Sequence, residues 1–152
     1  MEEFAASKNE TRKHILEVNQ LISQCIASLI LRANNHDATK LGPDEAPYFD
    51  EYTPKLANTT YGSDEYKRFL EELKPALDHH YKCNDHHPEH HSGGIQDMSL
   101  LEVVEMLCDW KAATLRHNDG DIRKSIELNQ SRFGYSDEFK GLLLNTINQM
   151  NW

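Results

Sequence analysis

Apolar residues recur at helical spacing near the start of the chain. This repeat predicts a long amphipathic helix that ends near Ala33, and its members are Ile15, Val18, Ile22, Ile26, Leu29 and Ile30. The residues "SKNE" at 7–10 predict a capping box, with Ser7 as the N-cap and Glu10 at N3. Residues 36–41, "HDATKL", predict a short helix that ends at Gly42 and Pro43.

The middle of the chain has weaker helical periodicity. Residues 43–62 are rich in Pro, Tyr, Asn and Thr, which favours a loop with one helical turn. A helix is predicted from Ser63, and Pro75 is expected either to interrupt it or to begin a new helix. The run "NDHHPEHHSGG" then breaks regular structure.

The last third of the chain predicts three helices. Ser99 and Glu102 match a second capping box, and the helix after them is apolar nearly all round, which predicts a central, buried element. Asp119 is predicted to cap the next helix, and Ser136 the last one, to about Met150. No segment has the two-residue alternation of a strand. The sequence therefore predicts an all-α fold in a single domain, residues 1–152, with about six to seven helices.

Composition and charge indicate which classes of partner and which compartment to expect. The 152 residues are 38% hydrophobic and 27% charged, with a formal net charge of −9, which favours a soluble domain and disfavours duplex nucleic acid as a partner. The odd number of cysteines favours a reducing compartment, and Cys83 and Cys108 are expected to be packing residues. No leader or membrane span is expected, so the predicted location is the cytoplasm, or the host cytosol for a phage protein. The C-terminal helix could pack in cis or across a homodimer.

The densest chemical feature is the run "HHYKCNDHHPEHH", which holds six of the nine histidines in residues 79–91. Loops usually carry Ser, Asn or Gly, so this composition favours a metal site over the alternative of a solvated polar loop. Helical spacing from Leu77 turns His80 inward. His86 and His87 are also expected to face inward, and the other three (His79, His90 and His91) to lie at the rim or in solvent.

Three further features add candidate ligands. The adjacent His36 and Asp37 can both reach one ion. His14 lies beside the apolar stripe of the first helix, with Glu10 one turn earlier on the same face. Asp109 has apolar neighbours, and a buried carboxylate needs a partner, which could be a cation, a helix end or a metal.

In chain order these residues read H…HD…D, and this pattern resembles the HD superfamily of metal-dependent phosphohydrolases, which are all-α bundles. "HDATK" also resembles the HD-x-x-K form of the HD-GYP branch, which breaks down cyclic dinucleotides, although "HHPEHHSGG" lacks the GYP of that branch. The resemblance implies an HD-like domain with one or two divalent ions of Mn, Fe, Co, Ni or Zn. The implied ligands are His14, His36, Asp37, His80, His86, His87 and Asp109, with Glu10 as a further one.

The resemblance also implies roles for other residues. An ion held by imidazole and carboxylate ligands can activate a bound water and polarise a phosphoryl oxygen. Asp37 and Lys40 are the expected catalytic residues, although Lys40 could equally be an exposed lysine at a helix end. The expected substrate contacts are Lys40, Asn84 and Lys111. Further candidates for such contacts are Lys82, Arg116 and His117.

The predicted function is hydrolysis of a phosphate ester of a small nucleotide, with preference for a cyclic or oligonucleotide phosphodiester. The alternatives are a 5′-nucleotidase or dNTP phosphohydrolase, an HD-type di-iron oxygenase, and a non-enzymatic helical protein that binds a metal or ligand. No P-loop, GxGxxG or GxSxG motif competes with these hypotheses. The run "HH-x-x-x-N-x-HHPE" is also similar to a small family of uncharacterised phage and bacterial proteins, which implies no activity.

Overall fold

The computed structural model describes residues 5–59, 63–116 and 120–152, and all regular structure in these ranges is helical. The predicted all-α fold is therefore confirmed. The six α-helices are α1 (Ala5–Asn35), α2 (Ala46–Ala57), α3 (Asp64–Cys83), α4 (Leu100–Thr114), α5 (Ile122–Phe133) and α6 (Asp137–Gln149). Three short 3₁₀ helices span Ala38–Leu41, Pro88–His90 and Gly94–Asp97.

Residues 1–35 and 36–152 form two compact units, and the first of them contains α1. This helix begins before Ser7, so the capping box predicted there is wrong. The carbonyl of Ser7 instead accepts a hydrogen bond from Thr11 within the helix, and Glu10 pairs with Lys13 at 2.7 Å. Five members of the predicted apolar stripe are exposed: Ile15, Val18, Ile22, Ile26 and Ile30.

A stretch that includes α1 also has the length and composition of a membrane-spanning helix. Within residues Ala6–Leu41, an 18-residue window has a mean hydropathy of 1.3, and none of that window is buried. Core helices of soluble proteins and signal sequences have the same property, so this is weak evidence for a membrane span. The cytoplasmic location stays a prediction.

The loop predicted for residues 43–62 is wrong, because α2 occupies most of it; residues 60–62 lie outside the described ranges. Pro47 stands in the first turn of α2, where the missing amide hydrogen costs nothing. The helix packs on α3 through the rings of Tyr52 and Phe69, whose centroids are 6.2 Å apart. Tertiary contact thus stabilises a segment whose composition disfavours a helix.

Helix α3 starts as predicted, because Ser63 is its N-cap and accepts a hydrogen bond from the Tyr66 amide. The break predicted at Pro75 is wrong, since α3 continues through this residue. A proline inside a helix costs about 3 kcal/mol. The buried face of Leu73, Ala76 and His80 spans the proline and offsets that cost by packing. His80 consequently stands on a continuous helix.

The apolar core of residues 36–152 is formed by α4, α5 and α6. Its buried members are Val103, Met106, Leu107, Ile122, Ile126, Tyr135, Leu143 and Ile147. The capping box of Ser99 and Glu102 is confirmed. Only one face of α4 is buried, however, because Val103, Met106 and Leu107 are buried, whereas Leu100 is 69% exposed and Cys108 is exposed. Cys83 and Cys108 are exposed free thiols, so their predicted role in packing is wrong.

Side-chain caps set the starts of the last two helices. The N-cap of α5 is Asp121, which accepts a hydrogen bond from the Arg123 amide; the predicted cap, Asp119, lies outside the described residues. Gly134, with a φ of 68°, ends α5, and Ser136 caps α6 as predicted. Between them, the Tyr135 hydroxyl donates to the Ile126 carbonyl and ties this turn to the core.

Candidate metal centre

The candidate ligands come from four segments of the second unit. His36 and Asp37 precede the first 3₁₀ helix, and Asp37 has a φ of 54°, in the left-handed region that aspartate tolerates better than most residues. His80 lies one turn from the end of α3. His86 and His87 follow in the loop before Pro88, and Asp109 stands on α4.

Nε2 atoms of these histidines converge on the carboxylate of Asp37. Asp37 Oδ1 lies 3.2 Å from His80 Nε2 and 3.5 Å from His86 Nε2. Asp37 Oδ2 lies 3.6 Å from His36 Nε2. His87 Nε2 is 2.9 Å from His80 Nε2, and therefore joins the same cluster.

Three sets of side chains have ligand atoms that lie within 4.8 Å of one another, close enough to hold an ion. These sets are Asp37, His80, His86 and His87; His36, Asp37 and Asp109; and His36, His86 and Glu105. The first two share Asp37, and Asp109 enters through a 3.7 Å distance to His36 Nε2. The described residues can thus hold a metal ion, and Asp37 is central to the site.

Two glutamates that were not predicted from the sequence contact the Nδ1 atoms of three of these rings, opposite the Nε2 atoms. Glu105 Oε1 lies 2.8 Å from His36 Nδ1 and 3.2 Å from His86 Nδ1. Glu45, which is 0% exposed, lies 2.9 Å from His80 Nδ1 and 2.7 Å from His79 Nδ1. A carboxylate on Nδ1 fixes the ring so that Nε2 presents a lone pair, as in many metal sites.

The two glutamates differ in how readily the sequence could have identified them. Glu105 is one helical turn before Asp109, and that spacing places both on one face of a helix. It could have been found from the spacing alone. Glu45 lies just before α2, in a segment that composition assigned to a loop, and its histidine partners are at least 34 positions away. No local signal identifies it.

The hydrogen bonds around His80 indicate its tautomer. Asn84 donates its two amide hydrogens to Thr39 Oγ1 and to the carbonyl of His80, both at 2.8 Å. Asn84 therefore has no hydrogen left for His80 Nδ1, although its amide nitrogen is 3.1 Å away. Nδ1 of His80 is then the donor to Glu45, and Nε2 carries the lone pair that a metal would need.

Electrostatics favour the ligand forms of these side chains. Burial alone would raise the pKa of Asp37, but its contacts with His80 and Lys40 hold that pKa below the ordinary value. Burial, followed by the neighbouring His86 and His80 rings, lowers the pKa of His87 to about 3. Burial also lowers the pKa of His86, against the opposing charge of Glu105. Ionised carboxylate and neutral imidazole are the forms that bind metals.

A metal ion fits this arrangement by a further criterion. Asp37 Oδ1 and His86 Nε2 are buried and make no hydrogen bond with the described residues. Buried polar atoms in proteins are nearly always satisfied, and an ion is one recognised explanation for an exception. Both atoms belong to the cluster of candidate ligands, and nitrogen with carboxylate oxygen suits divalent transition metals.

The predicted ligands divide into two groups. His36, Asp37, His80, His86, His87 and Asp109 belong to the sets described above. His14 and Glu10 lie on α1, both exposed, and do not belong to these sets, so their role as ligands stays a prediction. Asp109 is half-buried, with 26% of its side chain exposed, and not enclosed by apolar neighbours as expected.

Residues expected to contact substrate also differ in position. Lys40 Nζ lies 2.5 Å from Asp37 Oδ2 and keeps 35% of its side chain exposed. Asn84 is buried, and its amide donates hydrogen bonds to Thr39 and His80. These contacts suit a residue that positions the site better than one that contacts a substrate. Lys111 follows Asp109 on α4 and is half-buried. His117 lies outside the described residues.

The three histidines expected at the rim have structural contacts. His79 binds Glu45, with 36% of its side chain exposed. His90 is exposed and its Nδ1 lies 3.0 Å from the Tyr81 carbonyl. His91 is better buried than expected, with 14% of its side chain exposed, and its Nε2 lies 2.8 Å from the Asp85 carbonyl.

Comparison with known proteins places the chain in a family. No curated protein and no solved structure matches it. The sequence profile of the family of unknown function DUF5662 matches residues 3–150, which is nearly the whole chain. The chain therefore belongs to the DUF5662 family of unknown function.

Proposed function

We propose that the protein is a metal-dependent hydrolase that cleaves a phosphate ester of a small nucleotide. The observation that carries this proposal is the convergence of histidine Nε2 atoms on the half-buried Asp37 carboxylate, with two unsatisfied buried atoms, Asp37 Oδ1 and His86 Nε2, at the point of convergence. The order H…HD…D along the chain, which resembles the HD phosphohydrolases, supports the same function.

One or two ions would be held by two sets that share Asp37. The first set is Asp37, His80, His86 and His87, and the second is His36, Asp37 and Asp109. When bound, a divalent transition metal supplies a Lewis acid for a phosphoryl oxygen and lowers the pKa of water. The protein's own contribution is preorganisation. Glu45 and Glu105 hold three of the imidazole rings by Nδ1, so the Nε2 atoms need no reorientation before they bind.

Lys40 is the proposed phosphate contact. Its ammonium group is held beside Asp37 and lies 5.4 Å from the centroid of the Phe49 ring. An ammonium group has three hydrogens, and Asp37 Oδ2 accepts one of them. The others can donate to a phosphate oxygen next to the metal ligands, and the charge of Lys40 then stabilises the negative charge of the phosphoryl group.

The preferred substrates within this proposal are cyclic or oligonucleotide phosphodiesters, on the resemblance of "HDATK" to HD-x-x-K. The alternatives are 5′-nucleotides and dNTPs. The same ligands would suit a di-iron oxygenase, and the four ligands of the first set could also close a structural metal site with no open position.

The test is a hydrolysis assay on the full chain loaded in turn with Mn, Fe, Co, Ni and Zn. Cyclic dinucleotides, short oligonucleotides, 5′-nucleotides and dNTPs serve as substrates. We expect metal-dependent release of product that Asp37→Ala reduces by at least ~100-fold and His90→Ala leaves unchanged. Hydrolysis by none of the loaded forms would overturn the proposal, and oxygen consumption by the iron form would favour the oxygenase.

A further inference from the structure

The described residues contain a cavity of about 660 Å³ that Asp37 and Lys40 border directly. This volume lies within the range of small-molecule sites. A second cavity, of about 480 Å³, is lined by residues of two segments, 93–96 and 133–139. Its lining includes none of the candidate metal ligands and no charged side chain. Only the first is placed to receive a group attached to a phosphate at the metal centre.

We propose that this first cavity binds the organic part of the substrate, and that this part carries an aromatic ring which lies against Phe49. The inference rests on the proposed phosphohydrolase function and assigns this cavity to the aromatic base of its nucleotide substrate. The substrate would be a phosphate ester of a compound with an aromatic ring, of a size that a cavity of about 660 Å³ can hold.

Phe49 is positioned for such a contact by the metal centre itself. Its ring meets the His80 ring edge-on, with centroids 6.4 Å apart, and Lys40 Nζ lies 5.4 Å from its centroid. Phe49 is half-buried and also lines the cavity. A ring held in this way can pack against a flat ligand with little loss of side-chain entropy.

The remaining wall is mostly apolar, and its apolar members are Leu41, Ala46, Pro54, Leu56 and Leu73. Asp50 and Thr53 add two groups that can accept hydrogen bonds. A phosphate group would be poorly matched to this wall, whereas an aromatic ring with N–H or O–H groups would match both kinds of surface.

Arg116 indicates how the substrate is expected to be oriented in the cavity. It borders the same cavity as Asp37 and Lys40, is exposed, and makes no ion pair within the described ranges. Guanidinium groups bind phosphate oxygens through two parallel hydrogen bonds. The phosphate end of the substrate is then expected at Lys40 and Arg116, with the ring directed towards Phe49.

Phosphonates test the proposal without requiring hydrolysis. Binding of phenylphosphonate and methylphosphonate to the full chain with Zn²⁺ is measured by calorimetry. We expect phenylphosphonate to bind about tenfold more tightly, and Phe49→Ala to remove most of this preference while methylphosphonate binding is unchanged. Tyr48→Ala, a change to the neighbouring exposed ring on α2, is the control and should leave the preference intact.

Either of two results would overturn the proposal. These are equal affinity for the two phosphonates in the unmodified protein, or a Phe49→Ala variant that weakens both equally. Circular dichroism checks folding, and Phe49→Leu, which keeps an apolar side chain but removes the ring, replaces Phe49→Ala if that variant unfolds. Loss of the aromatic preference in Phe49→Leu supports the proposal, and its full retention contradicts it.

Arg116 has a separate test in the same assay. Arg116→Gln should weaken both phosphonates by a similar factor, about fivefold, because both carry the same anionic group. Lys124→Gln, on α5, is the matched control. If Arg116→Gln weakens only phenylphosphonate, the assigned direction of the substrate is wrong.

These results separate the cavity from the proposed activity. A protein that prefers phenylphosphonate through Phe49 but hydrolyses no phosphate ester contradicts the phosphohydrolase and retains the aromatic site. A protein that hydrolyses phenyl and methyl phosphate with equal kcat/KM retains the phosphohydrolase and contradicts the aromatic site.

Discussion

Glu45 shows how one side chain can determine the geometry of the candidate metal centre. It is 0% exposed, and its two carboxylate oxygens contact His79 and His80. Burial alone would raise its pKa, yet hydrogen bonds from His79 and Thr39 lower it, so the carboxylate stays ionised. An ionised carboxylate on Nδ1 also fixes the orientation of the His80 ring, with Nε2 towards the other candidate ligands.

Replacing Glu45 should therefore weaken metal binding without unfolding the protein. Glu45→Gln keeps the shape of the side chain but loses the charge. We expect the affinity for Zn²⁺ to fall about 10–100-fold, measured by competition with a chromophoric chelator. Glu51→Gln, an exposed change on α2, is the control. Unchanged affinity in Glu45→Gln would mean that His80 is oriented by its other neighbours.

The six clustered histidines should divide by function in the same assay. His86 is buried with an unsatisfied Nε2, whereas His90 is exposed. His86→Ala should reduce Zn²⁺ affinity by at least ~10-fold, and His90→Ala should have little effect. Equal losses would show that the site extends further along the loop than the ligand sets indicate.

At the scale of elements, α3 and the turn between α5 and α6 position the site and the core. The caps at Ser63, Ser99 and Ser136 were predictable, because a cap is a local pattern of a few residues. The continuity of α3 through Pro75 and the existence of α2 were not. Both depend on packing between helices, and a local pattern does not contain that information.

Pro75 offers a direct test of this explanation. It is exposed within α3, so alanine should add a backbone hydrogen bond and improve helix propensity. We expect Pro75→Ala to raise the free energy of unfolding in urea by about 1–3 kcal/mol, with metal affinity unchanged. A loss of stability would indicate that the proline bends α3 into its correct position.

Tyr135 predicts a pH dependence of stability. Burial raises its pKa to about 12 in the folded protein, against about 10 for an unfolded tyrosine. Its contribution to stability is complete below pH 10 and is lost as the pH rises towards 12, because only the unfolded chain ionises in that interval. Urea unfolding between pH 9 and pH 11.5 should show this loss, and Tyr135→Phe should reduce it. An identical pH slope in the variant would exclude Tyr135 as the cause.

At the scale of the whole molecule, the sequence predicted the helical class and many residues of the cluster that could hold a metal ion. The adjacent His36 and Asp37 and the clustered histidines are local features, so they were visible without a structure. Glu45 pairs with His80, which is 35 positions away in the chain, and Glu105 pairs with His36, which is 69 positions away. Such pairings arise only when the helices pack, which explains why the orienting carboxylates were missed.

The candidate metal centre also joins segments that are distant in the chain, from residue 36 to residue 109. A ligand that binds only the folded state stabilises it by mass action, by about 4 kcal/mol at a thousand times its dissociation constant. Treatment with a chelator should therefore lower the Tm by several degrees. Re-addition of Zn²⁺ or Mn²⁺ should restore the Tm of the unmodified protein but not of Asp37→Ala.

Metal titration into the chelator-treated full chain is the most direct test of the central claim, that Asp37 and the histidines around it form a metal site. The prediction is saturable binding of one or two ions per chain, lost in Asp37→Ala and retained in His90→Ala. Absence of binding for Mn, Fe, Co, Ni and Zn alike, or equal binding in Asp37→Ala, would contradict it.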